Sequence, residues 1–216
     1  MKFFESTAIK GRKENTVKPK TSEVILDTEN NQLQRCVPPL YFLDINTYRV
    51  AVPDFNGHWP YRHIPFLFSL QKKATIDAEP SPYYFVAEVN TDPCEQFAEN
   101  LVNTIVDEGA IIVFERKFVV ARLKELQKEY LHLAMALEKI ISRIIELNIS
   151  QKEDYLKMQE KNAAVPPYSA EDVAALWYNL RFEKYGLSTE NDMQLIKQYH
   201  QNRALDLLNM AISKSG

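Results

Sequence analysis

The sequence predicts a mixed α/β fold in which one sheet is covered by helices, and three observations carry that prediction. Apolar runs of strand length come first: "VPPLYFLDI" at 37–45, a run around 65–72, and "PYYFVAEV" at 82–89. One helix-patterned segment and one further buried strand, "AIIVFE" at 110–115, follow. The rest of the chain is dominated by helical periodicity, so strands and helices share one layered body.

Each element has its own local reason. Residues 1–36 are polar and basic-leaning, with Lys10, Arg12, Lys13, Lys18 and Lys20, and are read as an N-terminal arm; its β-prone "SEVILD" can lay a strand on the body. Residues 37–216 are read as one domain. Two prolines lead into the buried strand at 37–45, and an Asn-Gly turn and a Pro-Tyr corner precede the strand at 65–72. The segment at 82–89 alternates well enough to pair with it in an antiparallel meander. In "DPCEQFAENLVNTIVDEG", Asp92 is the N-cap, Pro93 takes the first helical position, and Phe97, Leu101 and Ile105 recur at helical spacing. Gly109 is read as its end. From Phe118 to Leu147 two helical segments are expected in series. Pro166-Pro167 marks a connection. Ser169, with Asp172 three residues on, opens another helix, and a last helix over 191–213 turns Leu195, Ile196, Tyr199, Leu205 and Leu208 to the core. Three antiparallel strands, a helix and then a further strand fit a ribonuclease H-like layout.

Composition narrows the function classes. The 216 residues are 45% hydrophobic and 25% charged, with 11 Tyr and 11 Phe, which supports an aromatic-rich core rather than disorder. A net charge of -3 supplies no global basic field for nucleic acid. Cys36 and Cys94 fit no metal-ligand spacing and read as reduced, packed thiols of a cytoplasmic protein. No run approaches a membrane span, and the N-terminal apolar stretch is too short for a secretory signal. Five glycines leave no GxGxxG and no GxxxxGK[ST], which removes dinucleotide and P-loop nucleotide binding. Ser69 and Ser169 have no nucleophile-elbow context.

Between Pro38 and about Ile149 the pieces "PLYFLDINTY", "PDFNGHWPYRHIPFLFSL", "DEGAIIVFERKFVVARLKEL" and "ISRIIEL" resemble a bacterial family of unknown function. Its members look like DnaQ-type (DEDD, ribonuclease H-like) exonuclease domains, often attached to Cas4-type nuclease domains. The proline-aromatic run "WPYRHIPFLFSL" is the most specific of these pieces. Weaker likeness continues through "PPYSAEDVAALW" and "IKQYHQNRALDLL".

That resemblance implies four carboxylates holding two divalent cations, which would activate water for phosphodiester cleavage. This chain departs from the pattern. Asp44 stands at the first acid, but Asn46 replaces the glutamate two residues on; alternation in a strand puts both on one face. Phe118 matches the second motif, while Val119 takes its acidic position. Tyr199 matches the third, while Arg203 takes its aspartate. Pairing of the remnant Asp44 with the Arg203 guanidinium is therefore expected, since a buried carboxylate needs a partner.

The leading reading is a non-catalytic, exonuclease-like module that binds nucleic acid or a protein partner, with no cofactor and no membrane. Arg116, Lys117 and Arg122, with Lys124 beside them, are its candidate phosphate contacts, equally accounted for by a solvated helix face. One rival is an active 3′–5′ exonuclease that holds Mg²⁺ or Mn²⁺ with Asp44 and the displaced acids Glu115 and Asp206. Another is a structural assembly subunit; the oligomeric state is open. Among the four histidines, His58 and His63 lack helical metal spacing, and all are read as structural or solvent-facing. Trp59, Tyr61, Phe66 and Phe68 are read as core corners before base-stacking surfaces.

Overall fold

Strand β2 (Leu40–Tyr48) is the spine of the molecule, buried along nearly its whole length. A computed structural model describes residues 25–27, 33, 36–148, 169–180 and 189–213. The further elements are strands β1 (Ile25–Asp27), β3 (Ile64–Lys73), β4 (Ser81–Val86), β5 (Ile111–Val113) and β6 (Ile144–Asn148), and helices α1 (Pro93–Thr104), α2 (Arg116–Glu129), α3 (Ala134–Ser142), α4 (Ala170–Leu180) and α5 (Thr189–Ser213). A single 3₁₀ turn, Leu131–Leu133, joins α2 to α3. The sheet has the order β1-β6-β5-β2-β3-β4. β2, β3 and β4 are antiparallel neighbours, whereas β5, β6 and β1 add in parallel on the other side of β2. A mixed sheet flanked by helices is thus the observed class, as the order of patterns predicts.

Period-two alternation divides β2 between two cores. Tyr41, Leu43 and Ile45 join the larger cluster, with Phe97 and Leu101 of α1, Leu123 and Leu126 of α2, and Leu137 of α3. Leu40 and Phe42 join the second, with Ile112 of β5 and Leu207, Leu208 and Ala211 of α5. Leu33 and Cys36, upstream of β2, are buried in that second cluster, and β1 lies at the sheet edge beside β6. Other residues of 1–36, and the Pro166-Pro167 connection, lie outside the described residues.

Helix starts follow the sequence closely. Asp92 accepts a hydrogen bond from the Cys94 N–H at 3.0 Å, and Pro93 opens α1. Ser169 Oγ accepts from the Asp172 N–H at 3.1 Å and donates to the Asp172 carboxylate at 2.8 Å.

Three expectations fail. Residues 144–147, read as helix, belong to β6, because Ile144 and Ile145 are β-branched and a parallel place beside β5 is open to them. α1 ends at Thr104 rather than Gly109. Gly109 serves a different need: a Cβ there would lie 1.9 Å from the Pro39 carbonyl oxygen, so only glycine lets the segment before β5 pass so close to the entry of β2. Leu205, expected in the core, is 38% exposed; the buried stripe of α5 runs instead through Ile196, Ala204, Leu207, Leu208 and Ala211.

Candidate functional site

The row Leu40, Phe42, Asp44, Asn46 lies on one face of β2, and α5 packs over that face. Along α5, Tyr199, Arg203, Leu207 and Ala211 recur every four residues and form the matching stripe. The two rows meet so that Leu207 and Ala211 share the core cluster of Phe42, while Arg203 reaches Asp44. Arg203 Nε donates to Asp44 Oδ2 at 2.9 Å and Nη2 to Oδ1 at 3.4 Å; Nη1 donates to the Tyr199 hydroxyl at 3.0 Å. The expected pair therefore forms directly. Its side chains are only 17% and 13% exposed. Burial pushes the Tyr199 phenol up from its ordinary value, although the adjacent Arg203 cation pulls the other way.

A cavity of about 890 Å³ opens over this pair. It lies beyond the C-terminal ends of β2 and β5, which are parallel and so open on the same side, the usual place for a ligand on an open α/β sheet. Asp44, Asn46, Glu115, Phe118, Val119, Tyr199 and Arg203 all line it, so the sequence-predicted cleft residues are brought together. His63, Arg49, Glu171 and Tyr178 line it too; the sequence reads His63 as structural or solvent-facing and gives the other three no role. A local signal existed for Glu171 and Tyr178, which lie in a helix opened by a recognisable cap.

Asn46 is committed elsewhere. The pairing of β2 with β3 slips between Asn46 and Thr47, setting Thr47 opposite Pro65, which has no N–H. The Asn46 Oδ1 accepts the Thr47 N–H at 2.8 Å, and its Nδ2 donates to the Ala170 carbonyl at 3.1 Å, tying the strand to the start of α4. Thr47 Oγ1 in turn meets His63 Nδ1 at 3.0 Å. Burial and the nearby Arg122 and Arg49 cations hold the His63 imidazole below its ordinary pKa.

Two divalent cations need a crowd of oxygen donors, anionic ones above all. The residues at these positions do not fit such a pair. Asp44 is bound to a guanidinium, Asn46 to backbone, Val119 is a buried alkyl group, and Arg203 carries positive charge into the space. Glu115 faces the cavity, but Asp206 does not line it: it is 6% exposed on the packed side of α5. Two clusters of His, Cys, Asp or Glu have ligand atoms within 4.8 Å of one another among the described residues, and neither contains Asp44.

The basic candidates on α2 stand outside the cavity lining. Arg116 Nε donates to the Ile144 carbonyl at 3.0 Å, fixing α2 to β6, and Arg122 pairs with Glu125 at 2.6 Å while lying over the Phe118 ring. Lys117 and Lys124 are exposed. Of the aromatic run, Phe66 and Phe68 are core residues as expected, but Trp59 is 51% and Tyr61 67% exposed. Among the described residues no helix is long and apolar enough to cross a membrane.

Fold and site together define a mixed α/β domain whose cleft, at the carboxyl ends of its central strands, holds an internal ion pair. The model of one family, described as "Domain of unknown function (DUF2779)", matches residues 41–166, more than half of the chain, and the protein belongs to that family. No curated protein and no solved structure matches the chain.

Proposed function

We propose that the protein is a ribonuclease H-like, exonuclease-derived module that binds a nucleic-acid strand or a protein segment in the cavity over Asp44 and does not cleave it. The layout supports the fold part of this reading: antiparallel β2-β3-β4, then α1, then β5 and β6 added in parallel beside β2. One observation carries the functional part. The Arg203 guanidinium sits on the Asp44 carboxylate at 2.9 Å, where a metal-dependent exonuclease would need that carboxylate for a cation. A fixed organic cation balances the charge but brings no activated water. The likeness of "PLYFLDINTY" and "WPYRHIPFLFSL" to DnaQ-type domains, often fused to Cas4-type nucleases, points to the same ancestry.

The test is a pair of assays on the full chain. Labelled single-stranded oligonucleotides incubated with Mg²⁺ or Mn²⁺ are expected to stay intact. Fluorescence anisotropy of the same oligonucleotides is expected to show binding that weakens with salt if the ligand is nucleic acid. Salt-insensitive or absent oligonucleotide binding would count against nucleic acid and leave a protein segment as the occupant to test. Metal-dependent degradation that Asp44→Ala abolishes would overturn the reading in favour of an active exonuclease.

A further inference from the structure

The segment after β2 and the start of α1 bring together three different metal-binding side chains, His58 from the first and Asp92 and Cys94 from the second. His58 Nε2 is 3.0 Å from Asp92 Oδ2 and 3.9 Å from Cys94 Sγ. The ligand atoms of all three residues lie within 4.8 Å of one another. The His58 side chain is 1% exposed and Cys94 is fully buried, whereas the Asp92 side chain is 33% exposed and faces water on one side. None of the three lines the cavity over Asp44.

Two arrangements of Cys, His and Asp carry chemistry, and the geometry separates them. In a nucleophile–base relay, one imidazole nitrogen faces the thiol and the other faces the carboxylate. Here the same nitrogen, Nε2, faces both, and Nδ1 is buried with no hydrogen-bond partner. One nitrogen turned toward both a sulfur and a carboxylate oxygen is the geometry of donors around a common ion. A tetrahedral zinc with bonds of about 2.0–2.3 Å sets N and S roughly 3.6 Å apart and N and O roughly 3.4 Å apart. The observed N–S separation of 3.9 Å is slightly longer than its edge and the N–O separation of 3.0 Å slightly shorter, each by no more than about 0.4 Å. Arg62, a cation whose charge acts on Cys94, is already held in a two-pronged pair with Glu129, so its charge is balanced locally.

We propose that His58, Asp92 and Cys94 form a binding site for one divalent cation of the zinc class, with water in the remaining coordination position on the open Asp92 side. A thiolate, an imidazole and a carboxylate select zinc or cobalt over magnesium or calcium, which take oxygen donors. Bound there, the ion ties the 49–63 segment to the N-terminus of α1. The proposal is independent of what occupies the cavity over Asp44.

The full-length, reduced chain is stripped with a chelator and titrated with Co²⁺. One equivalent per chain is expected, with a thiolate-to-cobalt charge-transfer band, and zinc is expected to displace it. Cys94→Ala and His58→Gln are each expected to weaken Zn²⁺ binding by about tenfold or more in calorimetry, while Cys36→Ser leaves it unchanged. X-ray absorption of the zinc-loaded wild type, which needs no variant, is expected to show one sulfur neighbour. Absence of the band in the wild type, a band retained by folded Cys94→Ala, or loss of it in Cys36→Ser would each overturn the site.

Discussion

Arg203 is a single side chain on which two others depend. Replacing it with alanine leaves the Asp44 carboxylate largely buried without its guanidinium and removes a donor from Tyr199. Breaking a buried pair from one side costs about 3–5 kcal/mol, and partial solvation brings the expectation here to about 2–3 kcal/mol in urea unfolding. The double variant Asp44→Asn/Arg203→Met should recover much of that loss, since no charge is then stranded; a loss equal to the sum of the singles would mean that the residues are not coupled. His63 gives a pH signature. Its folded pKa is depressed, so the unfolded chain takes up the proton first as pH falls. The stability it contributes is full above the ordinary imidazole range, near 6.5, and is lost as the pH falls through the lowered folded value. His63→Gln should flatten the urea midpoint over about pH 7 to 5 relative to wild type. The Asp44–Arg203 pair was legible in the sequence because both residues stand at motif positions of the resembling family. The His58–Cys94 contact was not, because the two residues are 36 positions apart with strands β3 and β4 between them, and no spacing rule spans that distance. Asp206 misled for a related reason: three residues along a helix restore only part of a turn, and its side chain lands on the packed side of α5 instead of the cavity.

Among elements, α4 offers the most local test. Its start rests on the Ser169–Asp172 exchange, and Asn46 reaches its first carbonyl. Ser169→Ala should cost about 1 kcal/mol and raise amide exchange in the first turn of α4 before the sheet is affected. Uniform exchange across the molecule would show that the cap does not act locally. Strands β2 to β5 were legible because their apolar runs are bounded by proline, glycine or a polar turn. β6 was not: "IIEL" fits a helix face and a strand equally well, and only the vacant edge of β5 decides between them. Gly109 is ambiguous in the sequence, since a helix stop and a close backbone crossing leave the same mark there. Gly109→Ala should be strongly destabilising in thermal unfolding, because the obstacle is the Pro39 backbone, which cannot swing aside.

At the scale of the molecule, Trp177 connects α4 to the sheet. It is fully buried, its ring centroid lies 4.6 Å from that of Phe66 and 5.1 Å from that of Tyr48, and its indole N–H donates to the Ala87 carbonyl at 3.1 Å. Trp177→Ala should cost about 3–5 kcal/mol in chemical denaturation; a change below 1 kcal/mol would mean that the helix packs elsewhere. The contact between Asp44 and Arg203 spans 159 residues, joining a central strand to the last described helix. Among the described residues the helical cover of the Leu40-Phe42-Asp44 face comes from α5, so a nascent chain lacks that cover until α5 has been synthesised. During that interval an oily surface with an embedded charge lacks its helical lid of residues 189–213, so chaperone dependence during translation should fall sharply once they have emerged.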